Sequence, residues 1–424
     1  MSAQRIDIQP VKGTRDFYPE DMRRRQWLFE HWRQISRRFG FEEYDACVLE
    51  NEALYIRKAG DEITGQLYNF EDKGGRRVAL RPEMTPTLAR MILAKGASLP
   101  QPLRWYTIAQ CFRYERAQRG RKREHYQWNM DIVGLAHVAA EVELMSAQAA
   151  FLEAVGLQPE SIAFKVSHRG ILQHHLAGLG IDGERFAAVC VIVDKHDKIG
   201  PEATATLLAE QGVDAATATA ILQLLSVRGI DALAETVSDD NPGLADLREL
   251  LNLAEAAGIA DRMTIDCSVV RGLSYYTGTV WECFDASGEV PRAVAGGGRY
   301  DALLQHLGGE ATPMVGFGFG DVVILDLLEG RGLLPADDKG IDEVVYPLSA
   351  DEFAAATRLA AARRADGQRV CVDYSQRRFK HVIARAEADG ASRLLILGAA
   401  EVAKGIYKER SLSTREEREQ PLPS

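Results

Sequence analysis

Cys111-Phe112-Arg113-Tyr114-Glu115-Arg116 closes an apolar stretch over 105–111. A basic run follows, Ala117-Gln118-Arg119-Gly120-Arg121-Lys122-Arg123-Glu124, and then Tyr126-Gln127-Trp128-Asn129-Met130-Asp131 turns apolar again. A strand, a basic loop and a returning strand predict a hairpin, and the period of two along a strand places Arg113 and Glu115 on one face. An inward arginine beside inward carboxylates and amides suits an anionic ligand that also carries an ammonium. A solvated basic loop is the competing reading of the same residues.

Outward from this hairpin, Val78-Ala79-Leu80 and the runs 128–133, 280–284 and 315–319 are short, apolar and bounded by turn residues, the pattern of strands. Helical stretches separate them, so the fold class expected is α+β, an antiparallel sheet with flanking helices. Residues 19–40 predict one helix: Pro19 stands in its first turn, Glu20 and Asp21 suit its positive end and Gly40 stops it. Leu28, Trp32, Ile35 and Phe39 share a face that packs a core or forms a subunit interface. Ala- and Leu-rich segments such as 202–211 and 244–257 mark an inserted, mostly helical module, set at 165–260 within a first domain over 1–334. A linker with Pro335 leads to 341–424. There, strands at 344–348, 370–373 and 394–397 alternate with helical stretches, predicting a small α/β domain with a parallel sheet. The charged residues from Thr414 read as a frayed end.

With 424 residues and 46% hydrophobic content, the chain can build two or three cores. Its longest apolar runs, such as 189–193, are too short to span a bilayer, and Met1-Ser2-Ala3-Gln4-Arg5 has no apolar signal region. A cytosolic product is expected, with neither membrane nor DNA as partner. The net charge of -10 argues against indiscriminate coating of nucleic acid. Local basic patches remain for that work, Arg23-Arg24-Arg25 with Arg33, Arg37 and Arg38, and the loop over 113–123. Cys47, Cys111, Cys190, Cys267, Cys283 and Cys371 stand singly, without metal-finger spacing, and read as reduced, mostly buried small hydrophobes.

Phe112-Arg113-Tyr114-Glu115-Arg116 and its loop resemble the second signature motif of class II aminoacyl-tRNA synthetases, in the form used by histidyl-tRNA synthetases. Val11-Lys12-Gly13-Thr14-Arg15-Asp16 resembles the start of that family's sequences, and Arg81-Pro82-Glu83-Met84-Thr85-Pro86 its next landmark. Two histidine-specific signatures follow in order, Val270-Arg271-Gly272-Leu273-Ser274-Tyr275-Tyr276-Thr277 and Ala295-Gly296-Gly297-Gly298-Arg299-Tyr300-Asp301. The resemblance spans nearly the whole chain. It implies a class II catalytic domain over 1–334 carrying the insertion, followed by an anticodon-binding-like domain, in a homodimer.

The resemblance also implies chemistry. Histidine and ATP give histidyl-adenylate, which a hydroxyl at the 3′ end of tRNA(His) then attacks. Two anions must meet, so cations must neutralise charge in the transition state. Arg113 and Arg271 are the catalytic pair implied, gripping the α-phosphate and the reacting carboxylate from two sides. Glu83, Thr85 and Gln127 match the family's residues for the α-amino group, and Asp131, Tyr276 and Tyr300 those for the imidazole. Tyr275 reads equally as core or pocket. For ATP, Arg113, Glu115 and His125 are implied, His125 as an adenine platform, and Mg²⁺ as companion of the phosphates without a readable cage. Arg119 and Lys122 in the loop are expected to contact tRNA, as are Tyr374, Arg377, Arg378 and Lys380 in the tail domain, where cations stand beside an aromatic ring.

Two positions depart from the pattern. In Gly316-Phe317-Gly318-Phe319-Gly320-Asp321-Val322-Val323, Val323 stands where the third class II motif has an arginine. Either Arg121 or Arg123 supplies the missing charge or ATP binding has been lost, and the retention of Arg113, Glu115 and Arg271 favours the first. Ser274 stands where many relatives have Asp, a hydroxyl without charge. The alternative to a synthetase is a non-catalytic paralogue, acting as a regulatory subunit of ATP phosphoribosyltransferase or as a histidine or tRNA sensor.

Overall fold

The hairpin forms the centre of the larger sheet. The structure, a computed structural model, describes residues 7–56, 65–116, 118, 120–181, 183–269, 275–288, 290, 292–337 and 339–423. In chain order the strands are β1 (Glu42–Glu43), β2 (Leu49–Asn51), β3 (Tyr68–Glu71), β4 (Arg77–Leu80), β5 (Leu103–Phe112), β6 (Glu124–Val133), β7 (Ile162–His168), β8 (Met263–Ile265), β9 (Thr279–Asp285), β10 (Ala295–Arg299) and β11 (Met314–Gly320). Eight of them run in the order β1-β5-β6-β11-β10-β9-β7-β8, while β2, β4 and β3 make a separate small sheet. From β5 to β7 every pairing is antiparallel, and a parallel pair closes each edge, β1 on β5 and β8 on β7.

The register fixes which side chains share a face. Gly316 lies opposite Asp131, Gly318 opposite Asn129 and Gly320 opposite Gln127, while Gly298 lies opposite Gly316. The other face carries Trp128, Met130, Phe317, Phe319 and Trp281, all buried. Trp32 of the helix Pro19–Arg38 stacks on Trp128 at 5.9 Å, and Phe151 of the helix Ala139–Ala154 meets Phe319 edge-on at 5.2 Å. Two of the buried indoles find partners. Trp128 Nε1 donates to Ser36 Oγ at 2.9 Å and Trp281 Nε1 to Gln148 Oε1 at 2.9 Å.

Helices occupy the stretch from Arg169 to Ala256, beginning only after β7, so the span expected from residue 165 starts inside the sheet. Their starts follow the capping rules: Asp214 accepts from the main-chain N–H groups of Ala216 and Thr217, and Asn241 accepts from Gly243 with Pro242 next to it.

Two compact units divide the chain, one of Arg25–Leu334 with the segment up to Tyr18, the other of Pro335–Ser424 with Pro19–Arg24. The second unit contains β12 (Glu343–Pro347), β13 (Val370–Val372), β14 (Arg393–Leu397), β15 (Ile406–Ser411) and β16 (Glu417–Pro421) in the order β13-β12-β14-β15-β16. Helix Phe353–Ala365 packs on the Val345 and Leu395 side and helix Phe379–Ala388 on the Val344 and Leu394 side. The first three strands are parallel as expected, but β15 and β16 add an antiparallel ribbon. The end read as frayed from Thr414 is therefore ordered pairing. Its polar side chains hid a strand that main-chain hydrogen bonds to β15 and the Arg410–Glu417 ion pair at 3.0 Å hold. All six cysteines are free; Cys47 and Cys371 are exposed and the others buried. Among the described residues no helix is long and apolar enough to cross a membrane.

Candidate active site

The polar face of the large sheet is floored by glycine because side chains from neighbouring strands lie across it. A Cβ at Gly316 would overlap Asp131 Oδ1 and stand 2.8 Å from Tyr300 Oη. One at Gly318 would overlap Gln127 Nε2, and one at Gly298 would meet the Tyr276 ring at 2.7 Å. The glycines read in sequence as parts of signatures are thus the space that the polar residues fill.

At one end of this floor Tyr300 donates a hydrogen bond to Asp131 Oδ1, and both residues are buried. Asp131 Oδ2 is buried too and has no hydrogen-bond partner among the described residues. Burial lifts the Asp131 carboxyl to about 7, against the pull of the Tyr300 hydrogen bond. The rings of Tyr275, Tyr276 and Tyr300 enclose the place, with centroids 5.1 Å apart for the first two and 5.8 Å for Tyr275 and Tyr300. Tyr275, undecided from sequence, turns its hydroxyl to Glu83 and donates to Oε2 at 3.0 Å. Glu83 and Thr85 are buried at the start of the helix Thr85–Lys95. The turn before them is held by Arg81, which donates to the carbonyls of Gln110 and Ala46, each at 2.9 Å, and to Asp45 at 3.1 Å. Gln127 Nε2 donates to Asn129 Oδ1 at 3.1 Å.

Arg299 is a residue whose task the sequence did not reveal. It points to the opposite face and makes a buried, two-pronged pair with Glu141, 2.7 Å at each contact, and donates to the carbonyl of Leu135 at 3.0 Å. That anchor fixes the end of β10, from which Tyr300 continues.

Beyond Gln127 the floor opens into a cleft of about 510 Å³, within the range of about 300–1,000 Å³ usual for small-molecule sites. Arg113, Glu115, Arg121, Lys122, His125 and Val323 line it, with Arg292, which the sequence reading passed over. Arg113 Nε donates to the carbonyl of Pro82 at 3.0 Å, joining this end to the Glu83 turn. His125 is neutral at physiological pH: burial, helped by the charge of Arg113, lowers its ring to about 3. Arg121 pairs with Glu115 at 3.0 Å. Arg123 is engaged elsewhere. Its guanidinium lies 3.9 Å from the centre of the Tyr114 ring, and it donates to the carbonyls of Glu115 at 3.0 Å and Lys12 at 3.3 Å. Arg271 and Ser274, with Arg119, fall outside the described residues.

The segment with Gly13 and Arg15 braces the cleft from below. Arg15 spans Asp321 at 3.0 Å and Glu124 at 3.4 Å, and Asp321 also accepts from the main-chain N–H of Tyr126 at 2.9 Å. Asp321, two residues before Val323, is therefore committed to joining strand β6 to the helix Asp321–Gly330.

In the second unit Tyr374, Arg377, Arg378 and Lys380 are all exposed, in the loop after β13 and the first turn of helix Phe379–Ala388. Tyr374 packs edge-on against Phe353 at 4.9 Å, and the Tyr346 hydroxyl donates to the carbonyl of Arg377 at 2.8 Å. An aromatic ring and three cations thus share one accessible turn.

Comparison with known proteins matches residues 13–320 to the family model for histidyl-tRNA synthetase and residues 342–422 to that for an anticodon binding domain. A chloroplastic/mitochondrial histidine–tRNA ligase of Arabidopsis thaliana is 47% identical over 414 residues, 98% of this chain and 85% of the relative. The histidine–tRNA ligase of Opitutus terrae is 42% identical over 420 residues, 98% of this chain and 96% of the relative. Among solved structures, histidyl-tRNA synthetase from Nostoc sp. PCC 7120 superposes with a TM-score of 0.80 at 22% identity, covering 98% of this chain and 97% of the other. A Bacillus halodurans protein described as an ATP phosphoribosyltransferase regulatory subunit/histidyl-tRNA synthetase gives 0.77 at 21% identity, covering 94% and 100%, a likeness of fold.

Proposed function

Since the chain belongs to the histidyl-tRNA synthetase family, we infer that it uses the glycine-floored cleft to join histidine to ATP and then to tRNA. It is an aminoacyl-tRNA synthetase, a histidine–tRNA ligase, and the regulatory-paralogue reading is not favoured. The observation that carries the site assignment is the division of one sheet face into an enclosed end, with Asp131 and Glu83 among three tyrosines, and an open, cationic end.

In this reading the imidazole lies between Asp131, Tyr276 and Tyr300. The unpaired Asp131 Oδ2 then receives a ring N–H, a demand that an apolar side chain of similar size cannot meet. Glu83, Thr85 and Gln127 take the ammonium. The histidine carboxylate is thereby aimed at the open end, where Arg113 holds the α-phosphate of ATP, and Arg271 is assigned with it to the charge on the carboxylate and α-phosphate. A carboxylate oxygen attacks the α-phosphorus, a C–O–P linkage forms, and the bond to pyrophosphate breaks. A ribose hydroxyl of tRNA then attacks the carbonyl carbon, and AMP leaves. Neutral His125 offers a flat face to adenine, and Glu115 accepts from its amino group or the ribose. A second carboxylate, Glu282, lines the cleft, which suits Mg²⁺ carried in on phosphate oxygens with few protein ligands.

Lys122 at the cleft, Arg119 of the basic loop by sequence, and Tyr374, Arg377, Arg378 and Lys380 in the tail domain are assigned to tRNA. The insertion, read in sequence as 165–260 and beginning after β7, is assigned to a catalytic domain over 1–334, and the anticodon-binding-like domain to 341–424. A homodimer is supported by exposed apolar residues gathered on and beside the small sheet, Val48, Leu49, Ile56 and Phe70. A cytoplasmic site of action fits the cytosolic reading of the sequence. Histidine-dependent ATP–pyrophosphate exchange tests the chemistry. A folded, Mg²⁺-replete sample is expected to exchange, and one that does not would overturn the assignment.

A further inference from the structure

The third motif of this chain has a valine where a triphosphate needs a cation, and the structure brings an arginine to that spot from elsewhere. Arg292 precedes β10 by sequence and faces the same cleft as Val323. The two meet at Gly120 in the basic loop. From the point where a Cβ of Gly120 would sit, Arg292 Cδ is 3.4 Å away, Val323 Cγ2 is 3.6 Å away and Arg292 Nε is 3.9 Å away. Gly120 also has φ +72°, a conformation natural to glycine, so the loop both turns there and leaves room for the incoming guanidinium.

Of the sequence candidates for the missing charge, Arg123 is occupied with Tyr114, Glu115 and Lys12, whereas Arg121 lines the cleft paired with Glu115. Arg292 forms no ion pair among the described residues. Burial and the like charge of Arg121 both disfavour its protonated form, and Glu115 relieves this only in part. Two guanidinium groups that line one cleft and act on each other, one of them paired with Glu115, are an arrangement that a polyanion improves.

We propose that Arg292, acting with Arg121, binds the β- and γ-phosphates of ATP in place of the arginine that position 323 lacks. This rests on the reading of the cleft as an ATP site and adds a residue to it. The valine is then no loss: it leaves the charge at this end of the cleft to Arg292 and Arg121.

The test begins with wild-type exchange, whose absence would overturn the ATP reading and this proposal together. Given wild-type exchange, Arg292→Ala is expected to raise the KM for ATP about tenfold to a hundredfold, the worth of a charged hydrogen bond, with the KM for histidine within about twofold. Inhibition by inorganic pyrophosphate should weaken by a similar factor while inhibition by AMP stays unchanged. Arg292→Lys, which keeps the charge but loses the fork, should fall between the two, and Val323→Arg in the Arg292→Ala background should recover about tenfold or more. An unchanged KM for ATP, equal losses for ATP and histidine, or a double variant no better than the single one would overturn the assignment to Arg292 and leave the ATP site itself intact.

Discussion

Strand β11 shows two chemistries one residue apart. Phe317 and Phe319 point into a dry aromatic layer with Trp128, Trp32 and Phe151, while Gly316 and Gly318 point into the cleft and contribute nothing but absence. On the first face stability comes from filled volume, and on the second function comes from volume left unfilled. The lesson is that the same strand should fail in different ways when its alternate residues are changed.

The largest effect is expected on the filled face. Phe319→Ala should lower the unfolding free energy by about 3–5 kcal/mol in a denaturant titration, with the KM values of the enzyme that remains folded close to wild type. A loss of histidine affinity larger than the loss of stability would blur the contrast. Next comes Gly316→Ala. The added methyl displaces Asp131 and Tyr300, and kcat/KM for histidine in ATP–pyrophosphate exchange should drop about a hundredfold or more, with a far smaller loss of stability. An active Gly316→Ala enzyme would show that the floor has room to spare.

Asp131→Asn sharpens the comparison within the unfilled face. It should lower kcat/KM for histidine about tenfold to a hundredfold, as one acceptor in a buried polar slot becomes a donor. Its stability effect has a definite sign. The carboxyl is raised to about 7 in the folded protein, above its ordinary value of 3.8, so the folded state holds the proton more tightly than the unfolded chain. The stabilisation this gives is complete at low pH and is lost as pH rises toward 7, at about 1.4 kcal/mol for each tenfold difference in proton affinity. The Asn variant should therefore gain on wild type between pH 5 and pH 8 on the order of a few kcal/mol in unfolding free energy. A gap that stays constant with pH would mean that the carboxyl is not held protonated. The smallest change expected is His125→Ala, a rise of about tenfold in the KM for ATP with histidine unaffected, as for a lost stacking surface. Equal effects on both substrates would remove His125 from the adenine end.

The hairpin, the aromatic strands and the alternation in the tail domain were legible because each writes its burial in apolar side chains. Strand β10 was not: Ala295-Gly296-Gly297-Gly298-Arg299 has no apolar period, and it is a strand because β9 and β11 pair with its main chain on both sides. Strand β7 was absorbed into the helical module that follows it, and β16 was hidden by polar side chains on an edge. In the site, the sequence showed the gap at Val323 but not what fills it. Arg121, Arg292 and Val323 meet only through the folding of the sheet, and no spacing rule connects them. Tyr275 stayed ambiguous for the related reason that a buried tyrosine declares its role only through the partner of its hydroxyl, here Glu83.

Arg15 has a consequence for the birth of this protein. It bonds to partners 109 and 306 residues further along, so the brace beneath the cleft cannot close until Asp321 has left the ribosome. Until then Arg15 has Glu124 as a partner but not Asp321. Closing so long a loop is entropically costly, though the cost grows only with the logarithm of its length. The nascent chain is thus expected to acquire its catalytic pocket late and in one step, after nearly all of the first unit has been synthesised.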